Sequence, residues 1–285
     1  VELQSIAEKH SEYWIPVKDA TFCAVDVETS GLSSNSRIVE IGAVRFDLRG
    51  NHKEYQTLVN PCVEIAPEAS AIHGITDDMV SLAPLAGDVL PGLLNFMDSS
   101  VFIAHNASFD VGMLAREMFR YSIEPPRIPV ICTIGLARKI LSGLPNYRLS
   151  TLVDYLNLDI PTLHNALPDA HAARLVLIEA LKNAPQYNFL HELPGFRGSF
   201  RDMAIRHFVE IPHTNDAEEL LKYAQLRIPI EIEYENHDEL GPSIVTPHFL
   251  FEKKGKAYLA AYCHREGIRK SYRLDRIRAF RQAWS

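Results

Sequence analysis

The chain has 285 residues, 47% of them hydrophobic, and a formal net charge of −7. That apolar content buries one or two ordinary cores and excludes a disordered chain, while the acidic balance argues against a protein that simply coats nucleic acid. No apolar run reaches the roughly 18 to 20 residues of a membrane span, and the start VELQSIAEKHSEYW lacks the basic-then-apolar form of a signal peptide, so a cytoplasmic protein without a membrane partner is expected.

In chain order, residues 21–27 form a short apolar run, 37–46 are rich in β-branched side chains and 55–59 continue the pattern, which predicts three successive strands. Residues 76–97 have helical spacing interrupted by Pro84 and Pro91, and 101–104 are a short buried strand. A helix over 108–120 places Val111, Leu114, Ala115 and Met118 on one face. A fifth strand follows at 130–134, then amphipathic helices at 149–156 and 169–181. Strands that meander and then alternate with helices predict an α/β fold, a mixed sheet with helices packed on it. Around Asn183 the pattern changes, and Pro185, Pro194, Gly195, Gly198 and Pro212 punctuate a connector with two modest helical stretches. Beyond it, 229–234, 249–252, 257–262 and 270–274 read as strands of a small β module. The division expected is therefore an extension over 1–19, an α/β domain over 20–183, a helical connector over 184–226 and a β domain over 227–285. Cys23, Cys62, Cys132 and Cys263 form no C-x-x-C pair and read as buried free thiols of a reducing compartment.

Three segments carry chemistry. In FCAVDVETSGL, Asp26 and Glu28 stand two apart on a strand, so both carboxylates leave the same face of a buried element. Two ionised acids there need basic partners, shared protons or metal ions, and no Lys or Arg lies nearby in sequence, which favours metal. His105-Asn106-Ala107-Ser108-Phe109-Asp110 is a polar turn directly after a strand and places Asp110 in the first turn of a helix, where ligand sites of open α/β sheets gather. In His164-Asn165-Ala166-Leu167-Pro168-Asp169, Pro168 enters a helix at its first position, with Asp169 in the first turn and His164 on the preceding loop. Each alone has an ordinary reading: an acid at a strand end in solvent, a carboxylate complementing a helix dipole, a solvated loop histidine. Their conjunction changes the odds.

That conjunction resembles the DEDDh exonucleases, the proofreading-exonuclease and RNase T-like family, whose motifs are D-x-E, an Asp flanked by His and Phe, and H-x(4)-D. The flanks agree as well: Thr29-Ser30-Gly31-Leu32 follows the first motif and Ile72-His73-Gly74-Ile75-Thr76 matches a recurrent H-G-I-T segment. The resemblance implies an RNase H-like fold, with a central mixed five-stranded sheet flanked by helices, and a 3′–5′ exonuclease acting on a nucleic acid 3′ end, DNA or RNA. It also implies two divalent ions, Mg²⁺ or Mn²⁺, held by Asp26, Glu28, Asp110 and Asp169, whose oxygens are the hard donors such ions prefer. Asp26 would bridge the ions, and His164 would take the proton from the attacking water. Thr29, Gly31, Leu32, His105 and Phe109 are candidates for holding the 3′ end, with Leu32 and Phe109 equally readable as core.

The C-terminal module resembles WYL domains, small SH3-like β modules that bind nucleic acid or anionic ligands. Ile232-x-Tyr234, Val245-Thr246-Pro247, Ala257-Tyr258-Leu259 and Ser271-Tyr272-Arg273-Leu274-Asp275-Arg276-Ile277 carry the likeness, with Ala257 where the naming Trp is expected. Residues 227–285 hold 11 Lys/Arg against 8 Asp/Glu, leaving 18 against 28 for the rest, so this tail is locally basic. Arg273 and Arg276 are accordingly candidates for a phosphate groove or an anionic, nucleotide-type ligand, with Arg269 alongside. The competing reading of Arg269, Arg273 and Arg276 is a solvated basic surface paired with Asp275 and Glu266. A competing class for the whole chain is a regulatory protein acting through this module with the nuclease domain as scaffold, yet a scaffold has no use for acids so costly to bury.

Overall fold

The computed structural model describes residues 13–31, 36–206, 215–226, 228–235, 242–253 and 256–284. The chain divides into two compact units, Val1–Met203 and Ala204–Ser285.

In the first unit, β1 (Phe22–Thr29), β2 (Ile38–Phe46) and β3 (His52–Leu58) form an antiparallel meander. Three short helices follow: α1 (Pro67–His73), α2 (Asp77–Val80) and α3 (Ala86–Met97). The single helical stretch read over 76–97 is thus two helices, broken before Leu85, while Pro91 is kept inside α3. β4 (Val101–Ala104) runs parallel to β1, α4 (Ala107–Arg120) follows, and β5 (Pro129–Cys132) runs parallel to β4. α5 (Thr133–Ile140) takes over where the strand was expected to continue, since a short apolar run does not by itself distinguish strand from buried helix. α6 (Leu149–Tyr155) and α7 (Ala166–Lys182) complete the helices, and β6 (Phe196–Ser199) pairs antiparallel with β5. The sheet is mixed and six-stranded in the order β3-β2-β1-β4-β5-β6. Its sixth strand comes from the segment read as a connector. FRGS has no alternation to announce it, and the joint is made through glycine, since a Cβ on Gly195 would stand 2.5 Å from the Cys132 carbonyl oxygen.

The strand period of two explains how the sheet holds a site. Phe22 and Ala24 share a face with Asp26 and Glu28, and Val44 and Phe46 share a face with Glu40 and Gly42. The apolar half packs against Ala170, Ala173, Leu177 and Ala180 of α7. The polar half therefore meets the first turn of the same helix. Cys23, Val25, Val27, Val39 and Ile41 face the other way and are also buried.

The second unit begins with α8 (Phe200–Arg206), which spans the division, and α9 (Asn215–Leu226). β7 (Ile230–Tyr234), β8 (Ser243–Lys253), β9 (Lys256–Cys263), β10 (Ile268–Arg273) and β11 (Ile277–Gln282) form an antiparallel sheet in the order β10-β9-β8-β7-β11. Leu220, Ile230, Ile232, Val245, Leu250, Leu259, Ala261 and Tyr272 make its core. β8 starts six residues before the strand expected at 249, with Pro247 at a shift in register against β9, the kind of place where a strand tolerates proline. Cys23, Cys132 and Cys263 are buried thiols, but Cys62, expected to be buried, is exposed. Among the described residues, no helix is long and apolar enough to cross a membrane.

Candidate active site

Asp26 stands opposite Gly42 and Glu28 opposite Glu40 across the β1–β2 ladder. α7 descends onto this face, and carboxylate oxygens of Asp26, Glu28 and Asp169 come within 4.8 Å of one another. The first and third acidic motifs, far apart in sequence, therefore meet in one pocket of negative charge. The close approach depends on Gly42: a Cβ there would lie 2.2 Å from both the Ala166 carbonyl carbon and the Leu167 nitrogen.

The second motif enters from the other side of β1. Asn106 takes the left-handed conformation, φ 72°, and turns the chain from β4 into α4, with Asp110 as the fourth helical residue. Asp110 is 1% exposed. Its carboxylate accepts from its own backbone N–H and from that of Val27, yet its Oδ2 is buried without a hydrogen-bond partner. A buried carboxylate oxygen left without a donor is costly unless a cation or proton completes it.

α7 starts at Ala166, two residues before the position expected, so Pro168 is its third residue. The first N–H groups of a helix have no partner inside it, and proline sacrifices nothing there. The first intrahelical bond runs from Asp169 N–H to the Asn165 carbonyl at 3.0 Å. His164, at φ 70°, turns its backbone N–H onto both oxygens of the Asp169 carboxylate, at 3.2 and 3.3 Å, while the residue itself is exposed.

Electrostatics set this cluster apart. Burial, then the charges of Asp110, Asp169, Glu28 and Glu40, hold the Asp26 carboxyl well above its ordinary range. Burial, with Asp169 and Glu40 beside it, pushes Glu28 up to about 7. Asp169 is pushed up to about 6 by burial, against the opposing influence of His164. The strongest charges on Asp26 and Glu28 are all further carboxylates. A set of oxygen donors that repel one another, one of them lacking any donor, fits hard divalent cations.

One acid here, Glu40, escaped sequence reasoning, and His73 is legible there only as part of the H-G-I-T segment. Glu40, 5% exposed, accepts from the Ala166 N–H at 3.0 Å and from Gln56 Nε2 at 2.8 Å. The signal was present: an acid and a glycine, Glu40 and Gly42, in the otherwise apolar run IVEIGAV. His73 accepts the Ile75 N–H on Nδ1 at 3.0 Å and reaches the Thr29 carbonyl through Nε2 at 3.2 Å. Together with the Ala66 N–H on the Ser30 carbonyl at 2.9 Å, it ties both ends of α1 to the loop after β1.

The secondary candidates are scattered. Thr29 is buried and its hydroxyl donates to the Gly31 carbonyl at 2.8 Å. Leu32 lies outside the described residues. Phe109 is half-buried on α4. His105 has Nδ1 2.9 Å from the Thr133 hydroxyl and Nε2 3.0 Å from the Tyr147 carbonyl, so both ring nitrogens are occupied inside the fold. Its imidazole is held down to about 4 by burial and is neutral at physiological pH. In the second unit, the Arg273 guanidinium is engaged by Asp275, with Nε 2.9 Å from Oδ1, and Arg276 is exposed. Arg273 thus takes the paired form of the two readings.

Comparison with known proteins agrees with this geometry. Residues 23–177 match the profile of the RNase_T family, described as "Exonuclease", and residues 217–282 match the WYL domain. A "DNA polymerase III subunit epsilon" of Treponema pallidum is 37% identical over 152 residues, covering 52% of this chain and 71% of that protein. A "DNA polymerase III PolC-type" of Oceanobacillus iheyensis is 37% identical over 158 residues, 55% of this chain but 11% of the polymerase. The chain thus spans only about a tenth of the length of such polymerases. The nuclease domain of 3′hExo, titled a DEDDh family member bound to rAMP, superposes with a TM-score of 0.51 over 59% of this chain and 95% of that one; at 16% identity this likeness shows the fold.

Proposed function

The chain belongs to the exonuclease family, and from that premise we propose that it removes nucleoside 5′-monophosphates one at a time from the 3′ ends of nucleic acid, single-stranded ends first, with Asp26, Glu28, Asp110 and Asp169 holding two divalent ions. The observation that carries this reading is the convergence of Asp26, Glu28 and Asp169 within 4.8 Å, with the unpartnered Asp110 Oδ2 acting on the same group of charges. When bound, the ions neutralise charge on the phosphoryl and leaving oxygens and lower the pKa of the attacking water.

The chain's own residues divide the remaining work. His164 accepts the proton of the attacking water at its imidazole, from an exposed loop whose backbone is fastened to the Asp169 carboxylate. Asp26 and Glu28 project from a rigid strand, so their separation is set by the pleat rather than by flexible side chains. Thr29 and Gly31, with Leu32 next in sequence, follow them along the chain and would receive the terminal nucleotide, with Phe109 stacking against a base. The DNA polymerase names of the relatives support DNA as the first substrate to try.

The test is degradation of 5′-labelled single-stranded DNA, duplex DNA and RNA with Mg²⁺, Mn²⁺ or chelator. A ladder shortening from the 3′ end, with mononucleotide product and loss of activity in chelator, is the expected result. Internal cuts, or cleavage indifferent to chelator, would overturn it.

A further inference from the structure

Glu40 belongs to none of the acidic motifs, yet it is the most deeply buried acid on the α7 face of the β1–β2 ladder. Its two oxygens are both used: Oε2 accepts the N–H of Ala166, the first residue of α7, at 3.0 Å, and Oε1 accepts from Gln56 Nε2 at 2.8 Å. Both Glu40 oxygens are already engaged by donors of the protein on the strand and helix beside it, whereas Asp110 keeps a buried oxygen with no partner. The helix start, on the other hand, needs Glu40. Asn165 occupies the N-cap position but makes no side-chain cap, so the N–H of Ala166 finds its acceptor on the neighbouring strand instead of in its own sequence. A carboxylate at that place also complements the positive end of the helix dipole.

We propose that Glu40 is a positioning residue for the reaction: with Gly42 beneath it, it fastens the first turn of α7 to β2 and so sets where Asp169 and the His164 loop stand relative to Asp26 and Glu28. Gly42 fixes how near the helix comes, because its missing side chain leaves room for the Ala166–Leu167 peptide. Glu40 fixes its height and rotation through one directed hydrogen bond. Asp169 lies one turn further along, and His164 N–H bonds to that same carboxylate, so an error at Ala166 is passed to both. The inference rests on the assignment of Asp26, Glu28, Asp110, Asp169 and His164 proposed above.

A positioning hydrogen bond and a metal ligand respond oppositely to loss of charge. Glu40→Gln keeps an oxygen for the Ala166 N–H and an amide for Gln56, whose own amide reorients to match. Glu40→Ala removes both bonds. The experiment measures kcat, KM on a single-stranded oligomer and Mn²⁺ affinity by calorimetry for both variants, with Asp26→Asn as the reference for loss of a ligand. Glu40→Gln at near wild-type kcat and Mn²⁺ affinity is expected, with Glu40→Ala losing on the order of 10² in kcat at nearly unchanged KM, the size of effect that small misplacements produce. Glu40→Ala at wild-type kcat would overturn the proposal, and so would Glu40→Gln as inactive as Asp26→Asn, which would make the charge itself the requirement. Should Glu40→Ala not fold, the Glu40→Gln result decides alone. An active Asp26→Asn protein would instead strike at the site assignment, so the two failures are told apart.

Discussion

The two units treat their acidic residues in opposite ways. In the second, four of the described acids have a cation: Glu231 with Arg281, Glu235 with Arg278, Asp275 with Arg273 and Glu266 with Lys270. In the first, Asp26, Glu28, Asp110 and Asp169 have mainly one another, although the same unit pairs Glu117, 1% exposed, with Arg37 at 2.6 Å. The fold thus has the means to neutralise a buried acid and, among the described residues, does not use it at the site. Negative charge left uncompensated by the protein is what attracts a divalent ion, whereas charge already matched within the protein adds little reach toward a partner. The contrast also explains why the locally basic tail need not be a phosphate groove: four of its cations are answered by acids of the same unit.

Removing one charge from the uncompensated group should break the comparison most strongly. Asp26→Asn is expected to lower cleavage by on the order of 10³ or more, the scale of losing a fixed group that stabilises transition-state charge, and to raise Tm in the metal-free state by relieving repulsion. Cleavage assays and thermal melts in chelator check both; activity above a few per cent would contradict the first. His164→Ala comes next, with a loss of on the order of 10² in kcat and little change in metal affinity, as expected of a general base. An unchanged rate would assign the proton to another group.

The pH dependence of metal-free stability sharpens the comparison further. The folded values of about 6 for Asp169 and about 7 for Glu28 lie above their ordinary 3.8 and 4.5, so the folded protein keeps protons that the unfolded chain has released. Their destabilising effect is absent below about pH 4, grows as pH rises, and is complete above about pH 7. Melts in chelator should show this fall, and added Mn²⁺ should offset it most at the upper end. The smallest effect is expected in the second unit. Arg273→Ala should leave the salt slope of binding to a long oligomer unchanged because Arg273 is held by Asp275, while Arg276→Ala should reduce it by at most about 0.7 to 0.9, one phosphate contact. A full unit lost at Arg273 would make its pairing with Asp275 irrelevant to binding.

The sequence made the central chemistry legible because its carriers lie in short, regular contexts: a D-x-E on a strand and acids in the first turns of two helices. Strand alternation alone placed Asp26 and Glu28 on one face. Glu40 and Gly42 were hidden because their work is tertiary; nothing local says that residue 40 will meet residue 166. α1 had its marks, Pro67 at the start and Gly74 at φ 74° just past the end, but is only seven residues long and too short to show a period. β11 was missed because IRAFRQ shows no period of two, its arginines Arg278 and Arg281 standing three apart, and their charge reads as surface until their pairing with Glu235 and Glu231 is seen.

The claim that carboxylates without cationic partners make this face a metal site is tested most directly by calorimetric titration of the full chain with Mn²⁺ in buffers of differing ionisation enthalpy. Binding should displace protons held by the raised carboxyls, with more released at about pH 6 than at about pH 8, and Asp26→Asn should weaken the binding. Absence of Mn²⁺ binding, or binding that releases no proton at the lower pH, would contradict the account.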